Sequence, residues 1–134
     1  MLNQGGITTT QAGNVKTILA DAQLFYSLPC KIANTGLVAD GNGKKIIKTG
    51  TPLSGDILNR ETAFTVSKKD DTNVVGILLS QDIDATSGTK NGTVLLFGFV
   101  DESKLDASVV SLLDVANTDT SKIRSKLKQI TFVK

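Results

Sequence analysis

The chain contains no histidine and no tryptophan, a single cysteine and two prolines, and aromatic residues make up 4% of its 134 positions. Without histidine there is no Ser-His-Asp triad, no Cys-His pair and no histidine-ligated metal site. The lone thiol, Cys30, excludes an intramolecular disulfide and a thiolate cluster for zinc. The neighbouring Lys31 ammonium could lower its pKa, but no general base of the usual kind accompanies it, so a structural cysteine is expected. With so few aromatics, the core has to rest on Ile, Leu and Val, and a sugar would find little to stack on.

Charge is close to balanced, 15 basic against 13 acidic residues for a net +2, which provides no field strong enough to argue for nucleic acid. No apolar run approaches the roughly 18 residues that span a bilayer. The opening "MLNQGGITTT" lacks a basic region followed by a hydrophobic one. Neither a membrane span nor secretion by that route is expected.

What is present suits one domain: 40% hydrophobic residues in a chain able to bury roughly two thirds of its unfolded surface. Residues 1 to about 22 are polar with scattered apolar side chains, the pattern of an arm that cannot offset its own ordering entropy. "LFYSLPCKIA" comes next as a short extended segment, with Pro29 marking an edge position. "DGNGKK" at 40–45 carries two Asx-Gly dipeptides and predicts a tight turn between "IANTGLVA" and "KIIKTG". "TGTPLSGD" reads as a bend. "VVGILL" and "VLLFGFV" read as buried strands joined by a hairpin turn at Asn91-Gly92.

Two helices are expected near the C-terminus. The first carries Val109, Leu112, Leu113 and Ala116; the second, the clearer of the two, carries Ile123, Leu127 and Ile130 with Thr120 or Ser121 as N-cap. "ITFV" then returns to the sheet as a strand. The spacing as a whole points to a small all-β or β-rich body.

Several motifs come close to chemistry and fall short. Gly36 and Gly41 have phosphate-loop separation, but Asn42 replaces the lysine and no helix succeeds it. Asp82, Asp84, Thr86 and Gly88 resemble the start of a calcium loop, yet the glycine comes one residue late and Thr93 stands where the bidentate glutamate belongs. The same two aspartates could face one side as a glycosidase pair, which scarce aromatics argue against. "NGT" at 91–93 is formally a glycosylation sequon but reads better as a turn. Lys122, Arg124, Lys126, Lys128 and Lys134 against Asp119 make a basic C-terminal stretch whose ordinary role is a solvated face.

With catalysis eliminated, the order of features carries the interpretation. "KKIIKTGTPLSGDIL", "NVVGILLSQDID", "NGTVLLFGFVDESKL" and a short amphipathic helix closing in "ITFVK" resemble the lambda-type head decoration proteins of tailed phages, and related head-fibre base domains. The resemblance covers about residues 31 to 134, through Gly50-Thr51-Pro52-Leu53, Val75-Gly76-Ile77-Leu78, and Gly98-Phe99-Val100 leading to Leu105. It implies a mainly β domain, β-tulip or barrel-like, with one or two short C-terminal helices at 32–134; residues 1–31, polar with spaced apolar anchors, suit an extended capsid-binding arm beside it. It also implies a non-enzymatic homotrimer on the outer surface of the virion, made in the host cytoplasm, that cements capsomer junctions against the major capsid protein. No cofactor, metal, small-molecule substrate, nucleic acid or membrane enters such a role. A head-fibre base that displays a host- or glycan-binding element is the alternative. The chain departs from the lambda-type pattern in its longer N-terminal segment and the lack of a proline-rich surface loop. Within the arm, the apolar side chains available to a capsid are Ile18, Leu19, Leu24, Phe25, Tyr26 and Leu28.

Overall fold

A computed structural model describes residues 18–118 and 120–134. The protein is mainly β. Its strands are β1 (Tyr26–Ile32), β2 (Ile46–Ile47), β3 (Pro52–Ser54), β4 (Thr65–Val66), β5 (Val74–Leu78), β6 (Ile83–Asp84), β7 (Lys90–Asp101) and β8 (Ile130–Val133), with one α-helix, α1 (Ala107–Leu113). The main sheet runs β1-β7-β5-β3-β4, with β8 added parallel to β7; every other pairing is antiparallel, and β2 and β6 form a separate ribbon.

The unbroken apolar runs of β5 and β7 reflect burial on both faces. Val94 and Leu96 pack with Cys30, Ile32, Leu53, Phe64 and Leu78 on one face. On the other, Leu95 and Ile77 pack with Ile18, Val109, Leu113, Leu127 and Ile130. Alternation puts neighbouring residues on opposite faces, and a strand covered on both sides needs an apolar residue at each. Val100, which alternation would place beside Leu96, packs with Leu95 instead. The changeover falls at Gly98, whose φ of +157° side chains rarely adopt.

The sheet curls back on itself. Phe64 donates its N–H to the Lys31 carbonyl and accepts from the Ala33 N–H, both at 2.8 Å, so the residue before β4 bridges the end of β1. The Phe64 cluster therefore fills a barrel-like interior. Outside it, α1 covers the second cluster with Val109 and Leu113, an i, i+4 pair, and starts at Asp106, whose carboxylate accepts from the Ser108 N–H at 2.9 Å.

The C-terminal region differs from the expected second helix. Ile123, Leu127 and Ile130 are all buried, as their spacing predicts, but only a 3-10 turn forms, at Ile123–Lys126. Ala116 bridges Lys122, and the Asn117 N–H reaches the Ser121 carbonyl at 2.6 Å, so Thr120 and Ser121 lie in a turn and the N-cap position of the 3-10 segment falls to Lys122. The strand "ITFV" forms as β8. Arg124 fastens this region down, bonding Glu102 at 2.7 Å and Asp114 at 2.8 Å and lying 5.2 Å from the centroid of the Phe132 ring. One guanidinium thus joins the 3-10 turn at Glu102–Lys104, the end of α1 and β8.

Other expectations change for local reasons. Asn91-Gly92 is no turn: both residues lie within β7, paired with Lys31 and Cys30, and β5 reaches β7 through residues 79–89, which contain β6. Gly92 lies under the methyl ends of Ile32, Ile83 and Leu78, which a Cβ there would have to push aside. "TGTPLSGD" is not simply a bend, since Pro52 opens β3, the strand position a proline tolerates. "IANTGLVA" is a strand only at its first residue, the end of β1; β2 pairs with β6 instead. The arm–body boundary at 31/32 falls inside β1, so Tyr26–Ile32 belongs to the sheet; residues 1–17 lie outside the described residues.

Gly76 sits where β5 passes closest to β7. A Cβ there would lie 2.2 Å from the Leu95 carbonyl oxygen and 2.8 Å from a Val94 methyl. Backbone cannot yield as a side-chain tip can, so Gly76→Ala should lower stability by about 1–3 kcal/mol in chemical denaturation. An unchanged midpoint would place the strands further apart than described.

Candidate interaction surface

The surface of interest begins just before β1. Leu24 is 51% exposed, Phe25 39%, Tyr26 55% and Phe97 39%, on a protein whose other large apolar side chains are mostly interior. Register joins them: Tyr26 stands opposite Phe97 across β1 and β7, and the Phe25 backbone lies against Gly98. A direct cross-strand pair is in side-chain contact range. Tyr26 and Phe97 therefore form an exposed pair, with Phe25 beside Gly98 and Leu24 next in sequence, and the four together are termed the band.

The six side chains assigned to a capsid contact by sequence separate here. Leu24, Phe25 and Tyr26 are on the band; Leu28 and Leu19 are half-buried against the two cores. Ile18 is fully buried. Its carbonyl accepts from the Asp101 N–H at 2.8 Å, the Ala20 N–H donates to the Phe99 carbonyl at 2.8 Å, and Leu19 bridges Val100. Ile18 is a core residue in this fold, because three successive residues dock along β7 and carry it into the cluster under α1. Phe97 is the band residue that sequence reasoning missed. It lies in an apolar run that reads as wholly buried, and only the register with Tyr26 brings it to the surface.

Beside the band, an open groove of about 580 Å³ runs along the outer edge of β1 between Pro29–Lys31 and the Leu58–Glu61 loop. Arg60 donates to the Pro29 carbonyl at 2.9 Å and Glu61 approaches Lys31 at 3.8 Å, so the loop partly seals that edge. Cys30 is buried beneath it, its thiol pushed up to about 11 by burial, with Arg60 pulling slightly the other way. At neutral pH that thiol stays protonated and is a poor nucleophile.

The near-miss motifs are occupied with holding loops. Asp82 accepts from the Thr49 N–H at 2.8 Å, Asp84 bonds the Thr86 N–H and hydroxyl, and Asp40 accepts from the N–H groups of Asn42 and Lys44. Among the described residues, no group of three or more acidic or cysteine side chains could hold a metal ion. In the basic C-terminal stretch, Lys122 and Arg124 pair with Asp114, and Lys126 donates to the Asp71 carbonyl at 2.8 Å.

Four aspartates, in loops or at strand ends, are held below their ordinary pKa by donated hydrogen bonds: Asp40 by the Lys44 and Asn42 N–H groups, Asp70 by the Thr118 N–H and hydroxyl, Asp84 by the Thr86 hydroxyl and N–H, and Asp101 by the Ser103 hydroxyl. Asp70 also joins two loops distant in sequence, since its own N–H donates to the Asn117 side chain at 3.0 Å.

No protein-family model matches this sequence, and no curated protein matches it.

Two measurements test this description. Ile18→Ala should cost about 2–4 kcal/mol as a buried truncation, whereas Tyr26→Ser should stay within about 0.5 kcal/mol. Equal losses would place both on the same side of the surface. The four aspartates have depressed folded pKa values, so the unfolded chain takes up protons first on acidification. Stability should be level above the ordinary carboxylate value of 3.8 and fall as pH drops from there through the lower folded values. Asp70→Asn, which tolerates the positive φ of that position, should flatten the fall; an unaltered acid limb would remove Asp70 from the account.

Proposed function

We propose that this protein is a structural component of a tailed-phage virion that binds the outer surface of the mature capsid and reinforces capsomer junctions, with the major capsid protein as its partner. One observation carries the proposal. Leu24, Phe25, Tyr26 and Phe97 are exposed apolar side chains, the last two paired across β1 and β7 and the first two on the residues just before β1, while the residues nearest to chemistry are engaged in loops or buried. Aromatic side chains with little conformational freedom are good anchors for a protein partner. The mainly β body and the order of its segments agree with the resemblance to lambda-type decoration proteins. A homotrimer would present three such bands, and the second and third contacts would then form at high effective concentration.

The deciding experiment is co-sedimentation of the full chain with expanded, undecorated heads of the phage that encodes it, with unexpanded shells as control. Saturable binding to expanded heads alone is expected. Tyr26→Ser combined with Phe97→Ser should weaken that binding by about 30-fold or more, the effect of losing a hot spot of about 2 kcal/mol, while the thermal midpoint stays near wild type. No binding to either shell would overturn the capsid assignment. Full binding by the double variant would remove the band from the interface.

A further inference from the structure

Two Asn-Gly dipeptides lie among the described residues, and the fold treats them in opposite ways. Asn91-Gly92 is inside β7, paired with Lys31 and Cys30 of β1, and the space above Gly92 is filled by Ile32, Ile83 and Leu78 side chains. Asn42-Gly43 is at the exposed tip of the 40–44 turn, with nothing within 4 Å of the place a Gly43 Cβ would occupy. Both dipeptides share the same intrinsic chemistry. The nitrogen of the residue after asparagine attacks the side-chain amide carbon, forming a five-membered succinimide and expelling ammonia. Water then opens the ring at either carbonyl, giving aspartate or isoaspartate. No oxidant or cofactor enters, and glycine favours the attack because it has no side chain to obstruct it.

Ring closure needs the backbone at the asparagine to rotate away from extended geometry and its neighbour's nitrogen to be freed. In β7 that means breaking strand pairing and disturbing the barrel interior, a sub-global opening. In the turn the attacking nitrogen itself is held by a single bond, from the Gly43 N–H to the Asp40 carbonyl at 2.9 Å, and its release is a local opening. We infer that Asn42 is a site of spontaneous deamidation and that the fold protects Asn91. The Asp40 carboxylate acts as the brake on Asn42: it holds the N–H groups of Asn42 and Lys44 at 2.8 and 3.0 Å, while the Asp40 N–H closes the turn on the Lys44 carbonyl at 2.8 Å.

The modification has structural consequences. It places a second carboxylate beside Asp40 and lowers the net charge of each chain from +2 to +1. An isoaspartyl linkage adds a backbone atom within a turn closed by short hydrogen bonds. That turn leads directly into β2, so the change reaches the β2–β6 ribbon and the Lys45 to Thr86 hydrogen bond at 2.9 Å.

The test is incubation of the folded full chain in mildly alkaline buffer, with peptide mapping of residues 42 and 91 by mass spectrometry. A chain kept in denaturant is the control. Deamidation at Asn42 should exceed that at Asn91 by about tenfold or more in the folded protein, and the two should converge in denaturant, since protection of a paired strand comes from its opening free energy. Asp40→Ala should accelerate Asn42 by about threefold or more without changing Asn91, because it removes local bonds alone. Comparable rates at the two sites in the folded protein, or no reaction at Asn42, would overturn the assignment. An unchanged Asn42 rate in the Asp40 variant would overturn the brake.

Discussion

The structure depends on β7. This one strand of 12 residues pairs along its length with β1 and β5, then with β8 and the Ile18–Ala20 segment. Its side chains supply both cores. A strand with neighbours on both edges and hydrophobic layers on both faces has little freedom to shift, because slipping the register by one residue would exchange the two faces along its whole length. The pairing with β1 slips between Tyr26 and Ser27, and Gly98 permits a second departure, where Val100 changes sides. The segment at Ile18–Ala20 and strand β8 both close on the same four residues at the end of β7.

Polar interactions serve a different purpose. Arg124 gathers Glu102, Asp114 and Phe132, and Asp70 joins the loop before β5 to the loop after α1. Charge-assisted bonds to partners distant in sequence hold short segments to one another beside the apolar contacts they make. The short helix α1 illustrates the limit. Seven residues are too few to be helical alone, and they are stabilised by burial of Val109 and Leu113, with a capped start and an end pinned through Asp114.

How much of this could be read in the sequence depended on whether the signal was local. The mainly β class, the buried strands β5 and β7, the first helix and the closing strand β8 all come from periodicity and apolar content. Asn91-Gly92 misleads because dipeptide turn chemistry is a local preference, and pairing with β1 outweighs it; nothing near residue 91 signals that a strand sixty residues upstream will lie alongside. The second helix fails for a comparable reason, since a 3.6-residue spacing of buried residues is met equally well by a 3-10 turn and then a strand. The interaction band was half legible. Leu24, Phe25 and Tyr26 stand out as apolar residues in a polar stretch, whereas Phe97 is hidden within a run whose other members are buried.

Burial of Ile18 changes what kind of surface the band is. An arm that orders only on binding loses part of its contact energy to that ordering, about 2–5 kcal/mol for coupled folding. The stretch 20–25 is instead held at both ends, by Ile18–Ala20 on the far part of β7 and by β1 on its near part. Leu24, Phe25 and Tyr26 are therefore presented by a short tethered segment beside a fixed Phe97, and most of the conformational cost is met when the domain folds. Preorganisation of this kind raises affinity without adding contacts. It also ties the contact surface to the core, because anything that loosens Ile18 loosens the segment carrying the band.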